Sequence, residues 1–182
     1  MSRVGRQSQP HEVGAGNRRI VVRRHGDEPE DQGLDFTVVA LRARTGKLVW
    51  STSVRRAPLL PDRVYASTPV VDGRVFVGSI GGNAYALDAQ TGRQLWKAGI
   101  GSYVYATPAV ANGIVYVGAY DAKLHAYRVA DGHELWSANV GDRVSGTPVV
   151  LGDNVYVSTL ESHTYAFDAK SGHRRWDFPR GK

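Results

Sequence analysis

At 182 residues, with 42% apolar and 22% charged side chains, the chain is long enough for one or two packed domains. It has no cysteine, which excludes disulfide staples, thiolate metal ligands and a cysteine nucleophile. The formal net charge of +6 is spread thinly: residues 1–35 carry six basic and six acidic groups, and the excess along 36–182 falls in short pairs such as Arg55-Arg56 and Arg174-Arg175. That scatter argues against a nucleic-acid groove. No apolar run approaches the ~18 residues of a membrane-spanning helix.

Residues 1–35 are poor in large apolar groups and are expected to be loosely ordered, apart from RIVVRR at Arg19–Arg24, which reads as a degenerate strand. No apolar stretch follows the N-terminal arginines, so the segment does not read as a secretory signal. The chain as written would then be cytoplasmic, or its true beginning lies elsewhere. From Phe36 onward repetition dominates. Trp50, Trp96, Trp136 and Trp176 stand 46, 40 and 40 residues apart and close the phrases ALRARTGKLVW, ALDAQTGRQLW, AYRVADGHELW and AFDAKSGHRRW. A second phrase, STPVVDGRVFVGS, ATPAVANGIVYVGA and GTPVVLGDNVYVST, precedes the last three and places Thr68, Thr107 and Thr147 in register. A period of about 40 residues means a series of similar units.

Each unit reads as four short strands separated by turns. In the second unit they fall near Ala66–Val71, Arg74–Ser79, Ala84–Asp88 and Gln94–Ala98. Gly46, Gly92, Gly132 and Gly172 share one turn position, where a positive φ is expected. Asp88 and Asp168, just before that turn, can accept bonds from its amides. The second strands, such as Val75-Phe76-Val77 and Val115-Tyr116-Val117, are apolar at successive positions, so both faces of each sheet should be covered. Small antiparallel sheets covered on both sides and repeated every 40 residues are propeller blades. The reading is an all-β incomplete propeller arc of about three and a half four-stranded blades: a partial one at 36–50, then 64–98, 104–138 and 144–178.

The recurring T-P-x-V, G, V-[FY]-V-G-S and A-x-[TS]-G-x-x-x-W elements, over about Phe36–Trp176, resemble the repeat of pyrroloquinoline-quinone-type β-propellers. The resemblance implies that each repeat tryptophan packs between adjoining blades. It also implies a ring of seven or eight blades, so an arc of this length should leave apolar blade faces open. Those faces would be covered by a second copy or another protein, or by further blades if the chain is part of a longer one. Proteins of this family commonly work outside the cytoplasm.

Motifs for chemistry are sparse. His133 and His173 are turn residues, His125 replaces the tyrosines at 85 and 165, and no histidine pair has ligand spacing. There is no G-x-S-x-G elbow. The resemblance allows a fragment of a quinoprotein oxidoreductase holding pyrroloquinoline quinone and calcium. That chemistry draws residues from many blades, so no catalytic residue, cofactor or metal is assigned. The favoured expectation is a non-catalytic binding or scaffold module. Its candidate face is formed by the connections between blades and the hairpins joining second to third strands: Arg63, Tyr65, Tyr103, Tyr105, Asp121, Lys123, Arg143, Glu161 and His163. The first connection is seven residues longer than the others, and its insertion, SVRRAPLLPD at 53–62, adds Arg55, Arg56, Leu59 and Leu60 as an exposed apolar tip.

Overall fold

The computed structural model describes residues 18–23, 37–57 and 60–179, and every regular element among them is a β-strand. The first sheet holds β1 (Arg18–Arg23), β2 (Thr37–Arg42) and β3 (Leu48–Ser53). A short hairpin of β4 (Arg55–Ala57) and β5 (Leu60–Pro61) follows. Three four-stranded sheets then succeed one another. They are β6 (Val70–Val71) to β9 (Gln94–Gly99) through β7 (Arg74–Gly78) and β8 (Asn83–Asp88), and β10 (Ala109–Ala111) to β13 (Glu134–Asn139) through β11 (Ile114–Gly118) and β12 (Lys123–Arg128). The last is β14 (Val149–Leu151) to β17 (Arg174–Phe178) through β15 (Asn154–Ser158) and β16 (Thr164–Asp168). Each sheet is a simple antiparallel meander in chain order.

The stretch centred on Ile20-Val21-Val22 is β1 and pairs antiparallel with β2, Val21 opposite Val39. The rest of residues 1–35 lies outside the described residues. The first strand of the second unit is only Val70–Val71, shorter than the sequence pattern suggests. Proline at 69 has no N–H to extend the ladder, although its carbonyl still accepts from Phe76. In all four sheets the pairing slips at one position, leaving an extra residue (49, 95, 135 or 175) just before the tryptophan. Such a bulge re-aims the side chain that follows it.

The core lies between blades rather than within one. Along β7, Val75 and Val77 pack back onto Val38, Ala40 and Trp50, while Phe76 packs forward with Trp96, Val115 and Val117. The next junction repeats the pattern, with Tyr116 and Leu124 packed against Val155 and Phe167. Both faces of β7 and β11 are therefore buried. In β15 burial alternates instead: Val155 and Val157 are buried, while Asn154 and Tyr156 are only partly covered. Trp176 (44% exposed), Phe178, Val149 and Leu151 are exposed on the same blade.

Each inner tryptophan is keyed into the blade after it. The indole N–H of Trp50 donates to the Ala89 carbonyl at 3.0 Å, Trp96 to Val129 at 2.9 Å and Trp136 to Ala169 at 3.2 Å. The turn glycines have the expected positive φ, from +65° to +75°. They have a second reason to be glycine, since a Cβ on Gly92, Gly132 or Gly172 would overlap the ring of Trp50, Trp96 or Trp136, with contacts of 2.6, 2.6 and 2.5 Å to the ring carbons. At Gly46 a Cβ would meet no described residue within 4 Å. Asparagine tolerates a left-handed backbone, so it separates the two requirements. Gly132→Asn is expected to cost about 1–3 kcal/mol by overpacking, and Gly46→Asn under about 0.5 kcal/mol, as read from urea unfolding midpoints.

The turns carry their own ties. Asp88 Oδ1 accepts from the amides of Gln90 and Thr91, and Asp168 Oδ1 from those of Lys170 and Ser171. The Ser171 amide and hydroxyl, foremost, hold the Asp168 carboxyl down at about 2. This is a depressed pKa in the folded state, so its contribution is complete above the ordinary value of about 3.9 and is lost as pH falls toward 2. Where Arg128 replaces the aspartate, Asp131 takes over, pairing with Arg128 and accepting from the His133 amide. Among the described residues no helix is long and apolar enough to cross a membrane.

Candidate functional site

Three equivalent backbone bonds assemble the loop face. The carbonyls of Arg63, Tyr103 and Arg143, one per connection, accept from the amides of Ile80, Tyr120 and Leu160, one per hairpin. The amides of Val104 and Val144 bond back to the carbonyls of Ser79 and Ala119 in the preceding hairpin. The connections through Tyr103 and Arg143 are thus each fixed between two hairpins, and side chains distant in sequence meet there.

At the middle of this face the geometry gathers four tyrosines. Tyr105 lies 5.9 Å from Tyr65, 6.1 Å from Tyr103 and 4.9 Å from Tyr120, centroid to centroid, and Tyr103 is 6.4 Å from Tyr120. The Arg143 guanidinium stands over the Tyr120 ring at 5.7 Å, a cation–π arrangement. Tyr65, Tyr103 and Tyr105 are 44%, 55% and 38% exposed, so the cluster is a surface and not a core. Tyr120 was missed by the sequence reasoning. It shares a repeat position with Ile80 and Leu160, which looks like an ordinary hairpin end. The available signal was that a large side chain recurs in that column, one residue beyond the buried strand.

The other candidates divide. Arg63, Lys123 and Glu161 are exposed and His163 is half-buried, stacked on Tyr165 at 6.4 Å. Asp121 pairs with His125, whose Nε2 it meets at 2.9 Å while Glu134 meets Nδ1 at 3.1 Å. His125 is 5% exposed and stacks on Tyr127, a histidine held structurally between two carboxylates. Leu59 lies outside the described residues, and of the strand positions Arg56 and Leu60 only the backbone is described.

The insertion is not the wholly exposed tip that its composition suggests. Arg55 is exposed, but Val54 is buried among Val38, Trp50 and Val64, and Asp62 is 1% exposed. Asp62 is the hub of a buried polar network. Its Oδ2 accepts from Ser79 Oγ at 2.6 Å, Tyr85 Oη at 2.7 Å and Asn83 Nδ2 at 3.0 Å, and its Oδ1 from the Gly81 amide at 2.7 Å. Burial, and then the Asp62 carboxylate, push the Tyr85 phenol far above its usual range, so it stays a donor. The longer connection therefore ends in an anchor beneath the loop face.

A family profile described as outer membrane protein assembly factor BamB matches residues 34–139 and 108–182. The chain belongs to this family of pyrroloquinoline-quinone-like β-propeller repeats. No curated protein matches it significantly. Among solved structures it is similar to BamB from Moraxella catarrhalis, at 19% identity and a TM-score of 0.59 over 89% of this chain and 61% of that one. It is similar to the quinohemoprotein alcohol dehydrogenase ADHIIG from Pseudomonas putida HK5, at 18% identity and a TM-score of 0.68 over 93% of this chain and 33% of that one. A europium-containing methanol dehydrogenase matches at 18% identity and a TM-score of 0.70, over 92% of this chain and 40% of that one. The chain thus spans less than two thirds of each of these structures. At such identities the likeness is one of fold, and a fold does not fix an activity.

Calcium and a quinone would need several oxygen ligands converging on one point. Among the described residues no group of three or more histidine, aspartate or glutamate side chains could hold a metal ion. The buried carboxylate is already saturated: the two oxygens of Asp62 accept four hydrogen bonds from protein donors.

Proposed function

We propose that this chain is a non-catalytic scaffold whose loop face, centred on Tyr65, Tyr103, Tyr105 and Tyr120, binds a protein partner. The observation that carries this reading is the contiguous, solvent-facing tyrosine cluster capped by Arg143. Tyrosine and arginine are the residue types most enriched among energetically dominant interface positions. Their rings here are pre-ordered by one another, which lowers the entropic cost of docking. Membership of the BamB family supports a role in assembling other proteins, by extension from the role in that family's description.

A photo-crosslinker at Tyr103, in cells of the source organism, tests the reading. A discrete protein adduct is expected, reduced at least tenfold by Tyr105→Ser with Tyr120→Ser, in a chain whose thermal melt is little changed. Adducts unaffected by the tyrosine changes would remove the loop face from the proposal.

A second reading, a segment of a quinoprotein oxidoreductase, is suggested by the two dehydrogenases among the similar structures. Titration of the chain with pyrroloquinoline quinone and Ca²⁺ is expected to give no saturable absorbance change. Saturable binding would overturn the non-catalytic reading.

A further inference from the structure

We infer that two copies of this chain associate head to tail, the Tyr156/Trp176 pair of one copy docking on the Gly46 turn of the other. The inference goes beyond the tyrosine face and rests on the two ends of the arc. At the junction between the last two blades, Tyr116 Oη and Trp136 Nε1 both donate to the Ala169 carbonyl, at 3.0 and 3.2 Å. Their ring centroids are 5.9 Å apart at 50°. One repeat later Tyr156 and Trp176 adopt the same arrangement, 5.7 Å apart at 46°. The donor pair is therefore preformed, yet it has no acceptor among the described residues, and Trp176 is 44% exposed where Trp96 is 7%.

The opposite end carries the matching socket. The turn after β2 closes as its counterparts do: Gly46 N–H donates to the Arg42 carbonyl at 2.8 Å, as Gly172 N–H does to Asp168 at 2.9 Å. The φ values agree, +65° and +70°. By repeat position, the Ala43 carbonyl corresponds to the Ala169 carbonyl that receives the inner pair. Around Gly46, however, no described residue stands within 4 Å of a Cβ position, whereas Gly92, Gly132 and Gly172 are each covered by a tryptophan ring.

One molecule thus displays both halves of a tryptophan-on-turn contact that it makes three times internally. Among the described residues both halves are uncovered, and a second copy presents the complement of each. A tryptophan buries ~150–250 Å², and the exposed Phe178, Val149 and Leu151 enlarge the apolar face beyond what scattered surface residues need explaining. Because unlike surfaces meet, the contact is heterologous, and two copies can close it by making it twice.

Sedimentation equilibrium on the full chain between 1 and 100 µM tests this. The wild type is expected to reach twice the 19.8 kDa of one chain. Trp176→Ser removes the key, and Gly46→Asn fills the socket without straining the turn. Each is expected to weaken association at least tenfold while leaving the circular dichroism spectrum and the melt at 1 µM unchanged. Mixing the two variants joins the intact key of one to the intact socket of the other, so the mixture is expected to associate more tightly than either variant alone. A wild type that stays monomeric at 100 µM overturns the proposal. Loss on Trp176→Ser with none on Gly46→Asn also overturns it, because that pattern marks a symmetric tryptophan-to-tryptophan contact.

Discussion

Replacing Asp62 by alanine is expected to destabilise the chain by about 3–5 kcal/mol, the cost typical of removing one partner from a buried charged network. The carboxylate is 1% exposed and accepts four hydrogen bonds. Its removal leaves the Gly81 amide without the oxygen it points at, and each buried donor deprived of its partner costs about 1–3 kcal/mol. Ser79 keeps a bond to the Asn83 carbonyl, and Tyr85 lies 3.1 Å from that of Arg55, so the losses do not all add. Asp62→Asn keeps one acceptor but turns an amide N–H toward donors, and should fall between alanine and the wild type. Urea unfolding of the three chains reads the difference in midpoint. A shift of under about 1 kcal/mol for Asp62→Ala would mean that the network is not what fixes the longer connection. The change should also loosen the loop face, because Arg63, next in the chain, holds the Ile80 amide through its carbonyl.

The blade architecture was legible in the sequence because the residues that repeat are those that join one blade to the next. Tryptophan, turn glycine and the apolar second strand each serve a contact made at every junction, so a fixed spacing betrays them. What each contact consists of was not legible. The glycines read as turn residues, since φ is local, while their second constraint comes from a ring some forty residues earlier in the chain. Asp62 shares its repeat position with Ser102 and Asp142 but closes the longer connection, whose composition suggested a surface loop; only the folded chain shows it beneath Ser79, Asn83 and Tyr85. Part of the network recurs in the last blade, where Asp142 accepts from the Glu161 amide and Thr159 from that of His163, while Ala119, Lys123 and His125 replace the three hairpin residues in the blade between. The tyrosine cluster was half legible: Tyr65, Tyr103 and Tyr105 stand out in the connections, but Tyr120 joins them through a hairpin and completes the surface.

Trp96→Ala and Trp176→Ala should differ by several kcal/mol although the two residues occupy one position of the repeat. Trp96 is 7% exposed, donates to the Val129 carbonyl, lies 6.0 Å from Phe76 and covers Gly132. Truncating a buried tryptophan costs about 3–5 kcal/mol in lost burial and residual cavity. Among the described residues the ring partner of Trp176 is Tyr156 of its own blade, so in the isolated monomer its truncation should cost under about 1 kcal/mol. The shapes of the transitions should differ as well. In a linear array, stability is a sum of unit terms and nearest-neighbour interfaces, and Trp96 is a main tie between the sheets β6–β9 and β10–β13. Weakening that tie should uncouple the arc, giving a broadened or two-step urea transition, whereas Trp176→Ala should unfold in one step like the wild type. Unfolding followed at 1 µM separates this from any association. Equal costs for the two substitutions would show that a blade holds its tryptophan without help from the next, and the stacking of blades would no longer account for the stability of the arc.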